Sequence, residues 1–222
     1  MVKVILLIIL FCVSPARVCG SDKIDPDSLI RKMEAAYDKL IDYQANLEIR
    51  QYVDDGSLEE KKLRYTYKKP GAIRLDFERP HAGMAVVYPD REGKVAIRPL
   101  RWLPFFILRK DLRDPGTQVS RGQQINQTDL GLLIRNIGHS VKEGRKGPVS
   151  VSLQENQVII TVLAENHFRR NITTRYSFFI DTTLWLPEMV EECDFEGRQE
   201  RVIVFHDLKV NLGIADPFFH LD

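Results

Sequence analysis

The chain has 222 residues, of which 44% are hydrophobic and 28% are charged, and its formal net charge is +1. This length and composition predict one globular domain with a full hydrophobic core. The balanced charges, which alternate in sign rather than form blocks, argue against a nucleic-acid-binding protein.

Residues 1–20 have the features of a secretory signal peptide. Lys3 gives a positive start, residues 4–13 form an unbroken apolar run, and small residues precede Ser21. A run of this length is too short to span a bilayer comfortably, which favours a cleaved leader over an anchor. The sequence therefore predicts an exported, periplasmic protein whose residues 21–222 form a single mature domain without a transmembrane span.

Cleavage of the leader also decides which cysteines remain in the mature protein. Cleavage before Ser21 removes Cys12 and Cys19 and leaves Cys193 alone, so an intrachain disulfide or a cysteine-based zinc site is excluded. We expect Cys193 to be a small, half-buried strand residue rather than a reactive thiol. Lipid attachment at Cys19 is the alternative, because Cys-Gly-Ser resembles the start of a bacterial lipoprotein, and it would anchor the protein to a membrane.

The first half of the mature chain predicts one helix followed by strands. Asp25 and Pro26 suit a helix start, and apolar residues at helical spacing extend to about residue 42. Alternating patterns separated by turns rich in Gly, Pro and Asp then predict strands at residues 43–53, 60–68, 73–78, 84–88 and 94–98.

The middle of the chain is irregular before a second helix. Residues 99–127 include a cluster of large apolar residues from Trp102 to Leu108, which we interpret as a core plug or as an apolar lip beside a cavity. Thr128 and Asp129 can cap the second helix, and Gly138 is its expected end.

The C-terminal part predicts a meander of short antiparallel strands. Alternating or apolar runs occupy residues 149–153, 157–163, 175–180, 187–194 and 201–205. Together the patterns predict an α+β fold, mainly antiparallel β. Its form is an incomplete, half-open β-barrel of roughly ten strands, with two amphipathic helices covering an apolar inner face.

The sequence carries no motif for catalysis or metal binding. A nucleophile elbow, a phosphate-binding glycine loop and a zinc helix are all missing, and the five histidines are scattered over different elements. Glu191, Glu192 and Asp194 form an acidic run, but neighbouring strand residues point to opposite faces. We therefore expect these residues to line a wet sheet face rather than to act as a paired acid and base. The sequence therefore predicts a protein that is not an enzyme and has no metal or cofactor.

A curved sheet with helical cover can enclose one hydrophobic ligand. Ten residues at inward positions or in the irregular segment are our candidates for the lining of such a cavity, although each of them could instead be plain core. These candidates are Leu63, Tyr65, Leu75, Phe77, Val86, Ile97, Trp102, Phe106, Leu133 and Ile137.

Several short stretches resemble the LolA-like superfamily of bacterial envelope proteins. They are Asp42-Tyr43-Gln44-Ala45, Tyr67-Lys68-Lys69-Pro70 with Ile73-Arg74-Leu75, residues 181–187, and residues 208–214 with Asp216. The closest likeness is to a domain-of-unknown-function family within that group. The resemblance implies a helical lid over a hydrophobic cavity, and a role in carrying or sensing lipoprotein acyl groups. LolA also has an arginine that closes its cavity, and Arg64 and Arg74 lie in comparable territory.

Two functions from different classes follow from these observations. The first is a periplasmic carrier or sensor of lipid or lipoprotein acyl groups. The alternative is a module that binds another envelope protein, either through a sheet edge or through residues 102–108, without a bound lipid. An esterase is a third and weaker hypothesis, because the nucleophile motif is missing.

Overall fold

The structure is a computed structural model. It describes residues 24–53, 55–120, 123–144 and 148–221. The predicted leader, including Cys19, lies outside these residues. Within them, no helix is long and apolar enough to cross a membrane.

Two α-helices and thirteen strands form the described part of the chain. The helices are α1 (Pro26–Asp38) and α2 (Leu130–Gly144). The strands of the first half are β1 (Asp42–Tyr52), β2 (Leu58–Lys68), β3 (Ala72–Arg79), β4 (Ala85–Tyr88), β5 (Val95–Arg98), β6 (Leu108–Lys110), β7 (Gln118–Ser120) and β8 (Gln123–Gln124). Those of the second half are β9 (Val149–Gln154), β10 (Gln157–Glu165), β11 (Thr173–Asp181), β12 (Leu186–Cys193) and β13 (Gln199–Val210).

Eleven strands form one antiparallel sheet in the order β6-β5-β4-β3-β2-β1-β13-β12-β11-β10-β9, and β7 and β8 pair separately. Every neighbour in the sheet is also a neighbour along the chain except β1 and β13, whose pairing joins the two halves. The edge strands β6 and β9 do not pair with each other, so the sheet remains open. This arrangement confirms the predicted α+β half-barrel, with eleven strands rather than roughly ten.

The core lies on the inner face of the sheet, under the two helices. Alternate strand residues such as Tyr43, Tyr65 and Tyr176 are almost fully buried there, because successive side chains of a strand point to opposite faces. Both helices bury residues at helical spacing against them. These are Leu29 and Met33 of α1, and Leu130, Ile134, Ile137 and Val141 of α2.

Both helix ends differ from the predicted positions. Helix α1 ends at Asp38 because Asp42 already belongs to β1 and accepts the backbone N–H groups of Leu212 at 2.6 Å and Ile214 at 2.8 Å. Helix α2 continues through Gly138 to Gly144, so the predicted end at Gly138 is wrong. Gly138 instead lies on the side of α2 that faces α1.

The apolar segment between β5 and β6 is not a core plug. Trp102 is 74% exposed and Phe105 is 96% exposed, so that interpretation of residues 102–108 is wrong. The segment leaves the sheet beside its edge strand β6, whereas the helices make their main sheet contacts with β10 and β12 at the other side. Within the described residues, no element therefore covers these aromatic side chains.

Replacing either of two glycines of α2 by alanine should change the stability of the protein in opposite directions. A Cβ at Gly131 would lie 2.5 Å from Cζ of Tyr37, whose ring is held by a 3.0 Å hydrogen bond to Asp129. We expect Gly131→Ala to lower the free energy of unfolding by about 1–3 kcal/mol through overpacking. At Gly138 the nearest atom would be Ile30 Cγ2 at 3.4 Å. Gly138→Ala should therefore raise the free energy of unfolding by about 0.5–1 kcal/mol.

Urea denaturation of both variants measures this difference directly. Equal destabilisation by the two substitutions would contradict the described packing of α1 on α2.

Candidate functional site

A cavity of about 110 Å³ lies between the inner face of the sheet and α2. We refer to it as the main cavity. Its apolar wall from the first half of the chain consists of Leu47, Ile49, Leu63, Tyr65, Leu75 and Phe77. The second half contributes Tyr176, Phe178, Val190, Ile203 and Phe205. Leu132 and Leu133 of α2 cover it.

The apolar wall is continuous because its members are direct cross-strand neighbours. Leu47 of β1 pairs with Leu63 of β2 on one side and with Phe205 of β13 on the other. Ile203 of β13 pairs in turn with Val190 of β12. Side chains directly opposite each other on one face of an antiparallel pair are in contact. The sheet thus presents a continuous row of apolar side chains to the cavity, and Lys61, opposite Ile49, is a charged member of the lining on β2.

A second cavity, of about 150 Å³, adjoins the first towards the β5 side of the sheet. Lys61, Leu75, Phe77 and Val119 line both cavities and so form the partition between them. These four side chains decide whether the two spaces stay separate.

A network of side-chain oxygens fixes the start of α2 above the sheet. The hydroxyl of Tyr43 accepts the backbone N–H of Leu130 at 2.9 Å, and the hydroxyl of Tyr37 donates to Asp129 at 3.0 Å. Asp129 also accepts the backbone N–H of Leu132 at 3.0 Å, as a helix-capping residue does. Burial raises the pKa of Tyr43 well above its usual range, so this hydroxyl stays neutral.

The other end of the main cavity is polar. Arg201 and Glu192 form an ion pair there, and their side chains are only 3% and 2% exposed. The guanidinium of Arg201 also lies 5.6 Å from the ring centre of Phe168. Glu192 therefore does not line a wet sheet face as predicted. It shares the inner face of β12 with Val190 and is paired with Arg201 in the sheet register.

His167 lies beside this ion pair. Its ring stacks on Tyr176 with centroids 4.5 Å apart, and its Nε2 is 2.7 Å from the hydroxyl oxygen of Ser140. Burial disfavours the charged imidazolium and lowers the pKa of His167 to about 4. The imidazole is consequently neutral at physiological pH.

The predicted lining residues fall into four groups. Five of them line the main cavity: Leu63, Tyr65, Leu75, Phe77 and Leu133. Val86 and Ile97 line the second cavity together with Leu75 and Phe77. Ile137 is a fully buried core residue of α2. Trp102 and Phe106 lie outside both linings, with Phe106 47% exposed.

Sequence reasoning missed the polar end of the cavity. The alternation of β13 could have placed Arg201 in the lining, because Arg201, Ile203 and Phe205 occupy one face of this strand. His167 lies between β10 and β11, where no periodicity applies. Neither Arg64 nor Arg74 lines the cavity, and Arg74 instead pairs with Asp76 at 2.9 Å.

The predicted placement of Cys193, half-buried on a strand, is confirmed. It is a half-buried residue of β12, and burial raises the pKa of its thiol, which makes the thiolate scarcer. The described residues contain no group of three or more histidine, cysteine, aspartate or glutamate side chains that could hold a metal ion.

Comparisons with known proteins give matches in structure alone. Scans against protein families and curated proteins find none. An uncharacterised conserved protein from Thermus thermophilus aligns with a TM-score of 0.48 at 10% identity, over 87% of this chain and 91% of its own. A DUF1329 family protein from Desulfovibrio piger gives 0.43 at 13% identity, over 87% and 95%.

A LolA superfamily protein from Nitrosomonas europaea also aligns, with a TM-score of 0.40 at 13% identity over 88% of this chain and 97% of its own. The matches therefore include the group that the short stretches of sequence resemble, together with a domain-of-unknown-function family. Because identities and TM-scores are this low, function has to be inferred from the geometry of this chain.

The neutral, buried His167 predicts a pH-dependent stability. The unfolded chain takes up a proton near pH 6.5 and the folded chain only near pH 4, so the unfolded state binds more protons between these values. Stability should fall as pH drops through this window, by about 2–3 kcal/mol after allowance for partial exposure. His167→Phe keeps the stacking on Tyr176 and should flatten this part of the pH profile.

Ser140→Ala is the matched control, because it removes the hydrogen-bond partner but keeps the imidazole. It should lower stability at every pH and retain the slope of the wild type. Denaturation midpoints measured from pH 4 to 7 compare the three proteins. An unchanged slope in His167→Phe would contradict the assignment.

Proposed function

We propose that this protein binds the apolar chain of a lipid or acylated lipoprotein in the main cavity, as an exported, non-catalytic carrier or sensor. The observation that carries the proposal is the continuous row of apolar side chains from β3 to β11 that lines the main cavity under α2. Apolar cavities of this kind bind apolar ligands.

The lining of the main cavity is mostly apolar and lies under α2. Each methylene group that a ligand buries against such a surface contributes about 0.8 kcal/mol. An acyl chain packed along this wall would therefore bind favourably, which supports a binding role for the cavity.

The size of the cavity predicts that binding enlarges it. Ligand pockets usually measure roughly 300–1,000 Å³, well above the main cavity alone. The adjoining second cavity supplies more room if the side chains of Leu75 and Phe77 turn away from the partition. We therefore expect an acyl chain to extend from the main cavity towards β4 and β5.

The polar end of the cavity predicts the chemistry of the ligand's head. Arg201 is already neutralised by Glu192, and a buried ion pair is strongly destabilised when one partner is drawn away. His167 is neutral and can donate or accept a hydrogen bond. An uncharged ester or amide carbonyl fits this environment better than a free carboxylate does.

The contact between Ser140 and His167 resembles part of a hydrolase site, but its geometry favours a structural role. Ser140 is fully buried and does not line the main cavity. A base with a pKa of about 4 is also poorly matched to proton transfer at neutral pH. These two features support binding rather than hydrolysis.

Filling the cavity tests the proposal. Val190→Phe adds an aromatic ring at a buried position of the apolar surface, whereas Val204→Phe adds the same ring at a half-buried position outside the lining. We expect Val190→Phe to weaken binding of a dansyl-labelled undecanoyl methyl ester by at least about tenfold, which corresponds to about 1.4 kcal/mol. Val204→Phe should leave affinity unchanged.

Fluorescence titration measures these affinities, and circular dichroism confirms that both variants fold. The unesterified acid is the second probe, and it should bind more weakly than the ester. Equal binding by the two variants, or no binding of either probe to the wild type, would overturn the proposal.

A further inference from the structure

The exposed apolar side chains are concentrated at one end of the half-barrel. The register places five turns at this end, namely residues 53–57, 80–84, 99–107, 166–172 and 194–198, and we call it the upper end. Of the thirteen large apolar side chains that are exposed within the described residues, nine lie there. Exposed apolar clusters of this kind mark interaction surfaces.

The most prominent part of the upper end is the turn at residues 99–107, which we call the aromatic loop. Trp102 is 74% exposed and Phe105 at its tip is 96% exposed. Two successive turns order the loop, through hydrogen bonds from Leu103 N–H to Leu100 O at 3.2 Å and from Phe106 N–H to Leu103 O at 3.1 Å. The aromatic side chains are therefore held outward by an ordered backbone.

All charged side chains within residues 98–110 are positive. Residues 98–110 contain Arg98, Arg101, Arg109 and Lys110 and no acidic residue. Arg109 and Lys110 form ion pairs with Asp90 and Asp114, each at 3.0 Å, while Arg101 is exposed on the loop itself. Tryptophan and phenylalanine flanked by basic residues are typical of segments that lie in the interface of an anionic membrane.

We propose that the aromatic loop docks the upper end of this protein on the surface of an anionic lipid membrane. Trp102, Phe105 and Phe106 enter the headgroup region, and Arg101 faces the lipid phosphates. A protruding loop with outward aromatic side chains and no acidic residue complements such a surface in both shape and charge.

This orientation also matches the polarity of the cavity. Glu192, Arg201 and His167 lie near the turns of the upper end, whereas Tyr65 and Asp129 border the opposite side of the cavity. Docking thus brings the polar end of the cavity towards the bilayer. This second part rests on the proposed function, whereas membrane docking itself does not depend on a ligand in the cavity.

Vesicle binding tests the proposal. We expect the exported protein to co-sediment with phosphatidylglycerol vesicles and only weakly with phosphatidylcholine vesicles. The double variant Trp102→Ser with Phe105→Ser should reduce the bound fraction at least about tenfold, because it removes the apolar contacts with the interface. The control is Leu153→Ser, which alters a side chain that is 60% exposed at the other end of the sheet and should bind as the wild type does.

Fluorescence gives a second readout. The chain has two tryptophans, so Trp185→Phe leaves Trp102 as the sole emitter. Its emission should shift to shorter wavelength when phosphatidylglycerol vesicles are added, as expected for an indole that leaves water. Wild-type protein that stays in the supernatant, or equal loss of binding in Leu153→Ser, would overturn docking by the aromatic loop.

The two proposals fail separately. The Trp102→Ser, Phe105→Ser variant should still bind the dansyl-labelled ester in the absence of vesicles, and Val190→Phe should still bind vesicles. Wild-type protein that binds vesicles but not the ester would contradict the cavity proposal and support docking. Wild-type protein that binds the ester but not vesicles would contradict docking and support the cavity proposal.

Discussion

The hydrogen bonds that hold the start of α2 on the sheet are the interaction on which this structure depends. An open antiparallel sheet of eleven strands exposes an apolar inner face, and something must cover it. The hydroxyls of Tyr43 and Tyr37 bind Leu130 and Asp129 and so place α2 above that face. The bond between Tyr43 and Leu130 is fully buried, and leaving either of its groups unpaired would cost about 1–3 kcal/mol, which makes the position of the helix specific.

The cavity follows from this fixed position. The helix is held at its first turn, and the next residues along it, Leu132 and Leu133, face the sheet across space that no described side chain fills. The polar side of this space lies further along α2, where Ser140 contacts His167. The main cavity thus runs from its apolar wall to the ion pair of Arg201 and Glu192, and this gradient would orient an amphipathic ligand.

Much of the fold could be predicted because alternation and capping are local signals. Ten of the eleven strands of the main sheet and the cap at Asp129 followed from local spacing, and five of the ten candidate lining residues lie at the main cavity. Strands β6, β7 and β8 lie in the segment that was predicted to be irregular. What failed depends on distant packing. Gly138 is typical of a helix end, yet α1 packs beside it and the helix continues. The aromatic loop has the composition of a core segment, and only the position of β6 at the sheet edge leaves it exposed.

Native mass spectrometry of the purified protein, followed by solvent extraction, shows whether the main cavity holds an acyl chain. We expect a bound species that carries an acyl chain with an esterified or amidated head, and we expect the dansyl-labelled ester to displace it. A bare polypeptide mass that persists after incubation with membrane lipid would contradict this expectation, because the apolar space under α2 would then take no ligand.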